Sequence, residues 1–254
     1  MTGTAERTSN PFLVAARIAA LILLFLVFLP PHLVAKLGGR RSPWPRRFLG
    51  AAARIIGARV ATTGAPVEPH SLLLSNHVTW LDILILGGAT GCAFVSKDEV
   101  RTHPLFGWLA DQNWTIYVRR AERRNAHVQA AAIAAALRDP QPLALFPEGT
   151  TGNGRTLLPF RSTLLEAVAP APPGVAVRPV AIDYGAVTGV FGWPRPETGR
   201  TNALRILGHS GTTPVMVRLL DPLPPSADRK AVARTAHDTI ATALAASNPP
   251  RPAL

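Results

Sequence analysis

The sequence has 254 residues, of which 27 are lysine or arginine and 15 are aspartate or glutamate, giving a net charge of +12. This length favours one domain with an appendage over two large domains. Hydrophobic residues make up 47% and charged residues 17%, which excludes a disordered chain. The single cysteine excludes a disulfide framework and a cysteine-built zinc site. A mean hydropathy of +0.17 in so basic a chain indicates contact with an anionic surface, either a membrane or nucleic acid.

Residues 1–58 are predicted to form membrane-associated helices. An apolar run extends from Phe12 to Ala35, with Pro30 and Pro31 near its end. A helix needs about 20 apolar residues to cross a bilayer. The run could therefore be a tilted span, a re-entrant helix that turns at the prolines, or a secretory signal. The weak positive charge before the run and the lack of a clear cleavage site argue against the signal.

Basic residues follow the apolar run, and aromatic and aliphatic residues lie between them at helical spacing. This pattern is typical of a helix on anionic lipid, and the alternative is a solvated helix packed on its own domain. Because Lys and Arg residues beside membrane helices tend to lie on the cytoplasmic side, we expect a single-pass or monotopic protein at the cytoplasmic face of the membrane. Nucleic acid is disfavoured because no nucleic-acid-binding signature is present. The basic residues are Lys36, Arg40, Arg41, Arg46, Arg47, Arg54 and Arg59.

Residues 59–247 alternate between short apolar runs and helical stretches. The alternation predicts an α/β domain with a central, mostly buried mixed sheet flanked by helices. Gly185–Asn202 is predicted to be a surface loop, and residues 248–254 a disordered tail. The predicted strands are Ser71–Leu74, Ala93–Ser96, Trp114–Val118, Leu143–Phe146, Val175–Ile182, Leu204–Leu207 and Val215–Leu219. The predicted helices are Leu81–Leu86, Glu122–Arg138, Ser162–Ala169 and Ala227–Ala246.

A histidine and an aspartate follow the first predicted strand, in the run Ser75-Asn76-His77-Val78-Thr79-Trp80-Leu81-Asp82. On one regular helix His77 and Asp82 would not meet. They can meet if His77 lies in the loop before a helix and Asp82 in its first turn. The carboxylate would then fix the imidazole tautomer and leave the other ring nitrogen as a base. The alternative is that Asn76 caps the helix and His77 is an ordinary turn residue.

Three further motifs lie at predicted strands. Leu145-Phe146-Pro147-Glu148-Gly149-Thr150 places a carboxylate and backbone N–H groups at a strand's carboxyl end, where open α/β sheets bind ligands. Its alternative is a mobile glycine loop. Ile116-Tyr117-Val118-Arg119-Arg120 places arginines at the end of a strand, where they suit a phosphate or carboxylate ligand. The alternative is that these arginines begin a solvated helix. Val177-Arg178-Pro179-Val180-Ala181-Ile182 carries a proline, which favours a strand start, a bulge or a sheet edge.

In order and spacing these motifs resemble the four sequence blocks of the glycerolipid acyltransferases. The resemblance extends from about Ser71 to Ile182 and rests mainly on His77–Asp82 and Phe146–Thr150. It implies transfer of a fatty acyl chain from acyl-CoA or acyl carrier protein to the hydroxyl of a membrane lysolipid. The first acceptor that it implies is 1-acyl-sn-glycerol-3-phosphate, which would give phosphatidic acid. It implies no cofactor and no metal.

The resemblance also implies roles for individual residues. His77 would be the general base that takes the proton of the lysolipid hydroxyl, and Asp82 would orient it. The hydroxyl would attack the thioester directly, which agrees with the chemistry because a thioester is already activated. Arg120, Glu148 and Gly149 would hold the head group and glycerol. The implied substrate-binding residues are Asn76, Arg120, Phe146, Pro147, Glu148, Gly149 and Thr150.

Two departures from the family pattern put the head group in doubt. Thr151 stands where the family often has an arginine, and Arg119 stands where the second block often has an aspartate. Arg155 could replace the missing arginine. The run Gly149-Thr150-Thr151-Gly152 is similar to enzymes that acylate lyso-ornithine lipid, whose head group is an amino acid. That lipid is the rival acceptor.

Other protein classes explain less of the sequence. A serine hydrolase or transacylase would need Gly-x-Ser-x-Gly after a strand, and Gly208-His209-Ser210-Gly211-Thr212 comes close. A metal hydrolase would need clustered ligands, whereas the remaining histidines are scattered. A non-enzymatic membrane-surface protein would explain the basic N-terminal region but not the ordered motifs.

Overall fold

The computed structural model describes residues 9–38, 41–118, 126–194 and 196–247, which form a mixed sheet with helices on both faces. The helices are α1 (Pro11–Leu37), α2 (Trp44–Ile56), α3 (Leu81–Thr90), α4 (Asp98–Arg101), α5 (Pro104–Gln112), α6 (Ala126–Ala136), α7 (Thr188–Phe191), α8 (Gly199–Leu207) and α9 (Arg229–Ser247). The strands are β1 (Ala58–Thr63), β2 (Ser71–Ser75), β3 (Ala93–Lys97), β4 (Ile116–Val118), β5 (Leu143–Leu145), β6 (Ala176–Asp183) and β7 (Thr213–Leu219). Short 3-10 helices cover Thr163–Val168 and Gly185–Val187.

The strand order in the sheet is β1-β7-β6-β2-β5-β3-β4. Strands β2 to β6 run parallel, whereas β7 is antiparallel to β6 and parallel to β1. The predicted α/β class with a mixed central sheet is therefore confirmed. Because β2, β5 and β6 are adjacent and parallel, the loops that follow them meet at one edge of the sheet. That edge carries the first, third and fourth sequence motifs.

Strand β2 lies in the middle of the sheet and is buried on both faces. Leu73 belongs to an apolar cluster with Ile85 of α3, whereas Leu72 and Leu74 face a second cluster with Ile133 of α6. All three leucines have no exposed surface. Burial on both faces explains why a parallel strand reads as an unbroken apolar run instead of alternating with polar residues.

Pro179 lies inside an interior strand, which corrects the expectation of a strand start, a bulge or a sheet edge. Its strand β6 pairs with β2 on one side and with β7 on the other. The antiparallel ladder to β7 begins only at the pair Val180–Leu219, and beyond it the Leu220 N–H donates to the Pro179 carbonyl at 3.1 Å. The N–H and the carbonyl of one strand residue point toward the same neighbouring strand. The N–H that Pro179 lacks would therefore point toward β7, at the position where the β6–β7 ladder ends.

The elements differ in detail from those predicted from the sequence, and helix α5 was not predicted. Leu204–Leu207 is not a strand but the last part of α8, where Asn202 and Ile206 are buried at helical spacing. The predicted loop Gly185–Asn202 contains a 3-10 turn, α7 and the start of α8. Strand β1 was not predicted, because five of its six residues are partly or fully exposed and it lacks an apolar run.

The N-terminal helices share their core with the sheet domain. Ala53 and Ile56 of α2 belong to the same apolar cluster as Leu73 of β2. Gly57 ends α2 in the left-handed conformation, with φ of 108°, and β1 starts at once. The described part of the N-terminal region therefore packs against the sheet domain. The predicted tail 248–254 lies outside the described residues.

Helix α1 runs unbroken through Pro30 and Pro31, so the chain does not turn back there as a re-entrant helix would. Its mean hydropathy reaches 2.8 over 18 residues, and among the described residues it is the one helix long and apolar enough to cross a membrane. Only 11% of that window is buried. Most of the helix therefore presents apolar side chains, such as Ile22 and Leu26, outward.

Two ionisable side chains bound the apolar run of α1, and both are buried against the domain. Arg17 donates to three backbone carbonyls at the end of α8, those of residues 206, 207 and 209, at 2.8–3.3 Å. His32 Nε2 lies 3.1 Å from Oε1 of Gln112 in α5. These contacts explain why polar, ionisable residues interrupt an otherwise apolar helix.

We expect Arg17→Leu to lower the free energy of unfolding by about 3 kcal/mol, because three buried carbonyls lose a charged donor. Denaturant titration in detergent, followed by tryptophan fluorescence, measures this change. Arg200→Leu is the matched control, since Arg200 lies on α8, the helix whose end Arg17 contacts, but its side chain is exposed. Equal stability of the two variants would contradict the assigned role of Arg17.

Candidate active site

His77 and Asp82 meet, in the loop-and-first-turn arrangement that their spacing in the sequence requires for contact. His77 lies in the loop after β2, Asp82 is the second residue of α3, and His77 Nδ1 is 2.9 Å from Asp82 Oδ2. The carboxylate has no exposed surface, whereas 17% of the His77 side chain is exposed. With Nδ1 bonded to the carboxylate, Nε2 is the atom that can accept a proton from a substrate hydroxyl.

Asp82 also organises the loop that carries His77. Its Oδ2 atom accepts from the backbone N–H groups of Val78 (2.6 Å) and Thr79 (2.9 Å), so the loop is held against the first turn of α3. Its Oδ1 atom accepts from the Tyr184 hydroxyl at 2.5 Å. Sequence reasoning missed Tyr184. The available signal was a tyrosine just beyond the apolar strand of the fourth motif.

Asn76 joins the ends of two neighbouring strands. Its side-chain nitrogen donates to the Ile182 carbonyl at 2.9 Å, and its oxygen accepts from the Ile182 N–H at 2.8 Å. The side chain thus extends the pairing of β2 with β6 by one step. Helix α3 has Trp80 as its N-cap residue, so Asn76 does not cap it. Because the nitrogen and the oxygen of its side-chain amide both bond to Ile182, the contact of Asn76 with substrate stays a prediction.

The third motif forms a tight turn beside His77. The Gly149 N–H donates to the Phe146 carbonyl at 3.1 Å, with Pro147 in the position that proline favours in such turns. Gly149 has φ of 74°, a conformation that glycine adopts without strain. The Phe146 ring stacks on the His77 ring, with centroids 4.1 Å apart and planes inclined by 15°. The stack holds the imidazole in its plane.

Glu148 connects the third motif to the histidine loop. Its two carboxylate oxygens accept from the backbone N–H groups of His77 (2.6 Å) and Leu158 (3.0 Å). The residue is only 4% exposed. Glu148 therefore fixes the position of the His77 backbone, and its expected contact with the head group stays a prediction. Thr150 follows in the same loop and is half-buried.

The pKa of Glu148 is raised from 4.5 to about 7, chiefly by burial and to a smaller extent by the charge of Asp82, while the two backbone hydrogen bonds oppose the rise. A raised pKa means that the folded protein binds this proton more strongly than the unfolded chain does. The stability contribution of the protonated carboxyl is thus fully present below pH 4.5. It is lost as the pH rises to about 7.

We therefore expect the free energy of unfolding to fall by about 3 kcal/mol between pH 4.5 and 7 through Glu148 alone. Denaturant titrations at several pH values in detergent measure the slope. In the Glu148→Gln variant the side chain does not titrate, so this part of the slope should vanish. Identical slopes for the two proteins would contradict the raised pKa.

The remaining predicted residues lie in different places. Arg120 lies outside the described residues, so its contact with the head group stays a prediction. Thr151 donates from Oγ1 to the Trp193 carbonyl at 3.0 Å, which ties the glycine-rich loop to the segment before α8. Arg155 is exposed, and its guanidinium lies beside Gly189 of α7. Arg178 of the fourth motif is buried and donates to three backbone carbonyls, so it has a structural task.

The possible serine nucleophile lacks the local structure it needs. Ser210 is exposed and follows the end of helix α8, whereas a nucleophile elbow follows a strand and precedes a helix. The segment 208–212 instead leads from α8 into strand β7. This geometry argues against a serine hydrolase or transacylase.

Comparison with known proteins agrees with this site. The sequence profile described as Acyltransferase matches residues 59–183, a range that includes the His77–Asp82 pair and the Phe146–Thr150 turn. The lyso-ornithine lipid O-acyltransferase of Brucella abortus is 36% identical, over 93% of this chain and 94% of that protein. The 1-acyl-sn-glycerol-3-phosphate acyltransferase of Neisseria meningitidis is 33% identical, over 54% of this chain and 53% of that protein.

A solved structure has the same fold. The crystal structure of the 1-acyl-sn-glycerophosphate acyltransferase of Thermotoga maritima aligns with a TM-score of 0.63 and 18% identity, over 93% of this chain and 100% of that chain. The profile match and the relative that is matched over 94% of its length identify the family, and the His77–Asp82 pair lies within the matched range. The chain belongs to the acyltransferase family, and it is an acyltransferase.

Proposed function

We propose that the protein transfers a fatty acyl chain from a thioester, acyl-CoA or acyl carrier protein, to the free hydroxyl of a lysolipid. The observation that carries this proposal is the half-buried His77 ring, bonded through Nδ1 to the buried carboxylate of Asp82. A thioester needs no metal or covalent catalyst, because a thiolate is a good leaving group. The expectation that no cofactor takes part belongs to this proposal.

The transfer proceeds in two steps, addition of the hydroxyl to the thioester and loss of the thiolate. His77 Nε2 takes the proton of the lysolipid hydroxyl while the hydroxyl oxygen forms a bond to the thioester carbonyl carbon. The resulting tetrahedral intermediate breaks its carbon–sulfur bond, and the imidazolium returns the proton to the departing thiolate. The products are a new ester and a free thiol. Asp82 stabilises the imidazolium that exists between the two steps.

The acceptor that we propose is lyso-ornithine lipid, with 1-acyl-sn-glycerol-3-phosphate as the second candidate. Sequence reasoning placed the phosphate lipid first. Thr151, however, stands where a phosphate-binding arginine is common, and its hydroxyl already donates to the Trp193 carbonyl. A threonine provides no positive charge for a phosphate. The relative that matches 93% of this chain is named for lyso-ornithine lipid, which supports the same order.

A substrate panel tests both parts of the proposal. Purified full-length protein in detergent receives lyso-ornithine lipid, 1-acyl-sn-glycerol-3-phosphate or another lysophospholipid, each with labelled acyl-CoA or acyl carrier protein. We expect kcat/KM for lyso-ornithine lipid to exceed that of the others by about tenfold or more. A preference for the phosphate lipid would overturn the acceptor assignment. Absence of product from every pair would overturn acyl transfer to lysolipids.

The proposed location is the cytoplasmic membrane surface, with α1 lying along it. Both ends of α1 are bonded to the domain: the Asn10 N–H contacts the Gly208 carbonyl, and Lys36 donates to Gln112 at 3.0 Å. These contacts are separated by about 39 Å along the helix axis. A helix standing upright in the bilayer would draw the domain into a hydrocarbon layer about 30 Å thick. A helix lying flat immerses only its apolar face.

Side-specific labelling tests this arrangement. A cysteine replacing exposed Ser9 should react with an impermeant maleimide from the same membrane side as a cysteine replacing exposed Lys230 in α9. The native Cys92 is buried and gives little background. Reaction of the two positions from opposite sides would show that α1 crosses the membrane.

A further inference from the structure

We propose that Tyr184 is a positioning residue for acyl transfer, the third member of a Tyr184–Asp82–His77 chain. This inference rests on the proposed function, because it assigns a task at the same site. The Tyr184 hydroxyl donates to Asp82 Oδ1 at 2.5 Å, and His77 Nδ1 lies 2.9 Å from Asp82 Oδ2. The tyrosine thus contacts the catalytic base only through the carboxylate between them.

The fold holds Tyr184 rigidly in this place. Tyr184 follows directly after β6, whose end is fixed to the end of β2 by the two Asn76–Ile182 hydrogen bonds. This pairing brings the residue after β6 beside the loop after β2. The Tyr184 ring is 1% exposed and stacks on Phe191, with centroids 5.5 Å apart. Rotation of the ring away from Asp82 would break this packing.

Donation from Tyr184 changes the electrostatics of the pair. The carboxylate of Asp82 has no exposed surface, and three of its four donors are the backbone N–H groups of Val78 and Thr79 and the His77 ring. Tyr184 supplies the fourth and is the one donor on Oδ1 among the described residues. It withdraws negative charge from the carboxylate and fixes its plane. Oδ2 therefore faces the His77 ring in one orientation.

This assignment predicts the direction of a pH effect. Without the Tyr184 hydroxyl, the Asp82 carboxylate keeps more negative charge and stabilises the His77 imidazolium more strongly. The base is then active only at higher pH, so the acid limb of the kcat/KM profile moves upward. Glu148, the other titratable side chain bonded to the His77 loop, is present in both proteins, so the comparison isolates the effect of the hydroxyl. At the same time the carboxylate loses its fixed orientation, which lowers kcat. Substrate contacts are unchanged, so KM stays the same.

The experiment is the pH dependence of kcat/KM and of kcat for Tyr184→Phe, which removes only the hydroxyl. We expect kcat to fall about tenfold, KM to change less than about twofold, and the acid limb to move up by about half a pH unit. Tyr117→Phe is the matched control, because the Tyr117 hydroxyl donates to Asp111 (2.8 Å) on helix α5, away from His77. That variant should leave the acid limb unmoved.

A double variant separates positioning from general stabilisation. If Tyr184 acts through Asp82, Tyr184→Phe should cause no further loss of kcat in the Asp82→Asn background. An unmoved acid limb, or additive losses in the double variant, would overturn the inference while leaving the proposed function intact. Inactivity of the unmodified protein on all lysolipids would instead overturn the proposed function. Should the variants lose stability, NMR titration of the His77 ring at reduced temperature gives the same pKa comparison.

Discussion

His77→Ala should lower kcat by about 10³-fold with little change in the KM of either substrate, because the variant loses the general base. The side chain accepts the hydroxyl proton and contributes little to binding in the proposed mechanism. Single-turnover assays with lyso-ornithine lipid and labelled acyl-CoA measure the chemical step directly. Wild-type turnover of this variant on every lysolipid would rule out the mechanism.

Two variants serve as controls for His77→Ala. The His127 ring also contacts a carboxylate, that of Glu166, but its side chain is 81% exposed and belongs to α6. His127→Ala should therefore retain activity. Ser210→Ala should retain it too, because Ser210 lies after a helix and not at a nucleophile elbow. Loss of activity in the serine variant alone would favour a covalent mechanism.

Asp82→Asn should lower kcat by about 10²- to 10³-fold, because the amide no longer stabilises the imidazolium. Its oxygen can still accept from the Val78 and Thr79 N–H groups, while its nitrogen can donate to the Tyr184 hydroxyl. The fold should therefore survive the change. Loss of the negative charge destabilises the imidazolium, so the acid limb of the pH profile moves down.

The direction in which the acid limb moves distinguishes the two variants. Asp82→Asn should move the acid limb to lower pH, whereas removal of the Tyr184 hydroxyl should move it to higher pH. Kinetic pH profiles of the two variants, recorded with the same substrates, measure both. Movement in the same direction would contradict the electrostatic account of the pair. Asp111→Asn, which alters the other Tyr–Asp contact, should leave the profile unchanged.

The α/β class and the His77–Asp82 contact could be predicted from the sequence, because both follow from short local segments. The meeting of His77 with Asp82 was predicted because a loop followed by a first helical turn is the simplest way to join residues at this spacing. The α/β class followed from apolar runs such as β2, which is buried on both faces. Both features depend on local sequence and on general rules for parallel sheets.

Features that depend on distant partners could not be predicted. The run Leu204–Leu207 is apolar enough for a strand, and only its packing in α8 shows that it is helical. The oxygens of Glu148 and Asn76 accept from backbone groups at His77, Leu158 and Ile182, which was not predicted, and the contact of both side chains with substrate stays a prediction. A motif does not reveal which backbone group each of these oxygens accepts from. Tyr184 was missed for the same reason, since its acceptor lies far away in the sequence.

The pairing of β1 with β7 imposes a long delay on assembly during synthesis. Ala58 pairs with Thr213, so the edge strand must wait until nearly all of the domain has left the ribosome. At ordinary translation rates the wait is on the order of ten seconds. Arg17 also waits, because its carbonyl partners belong to α8. The nascent N-terminal region is therefore made long before it can dock, and messages truncated before β7 should yield products open to proteolysis.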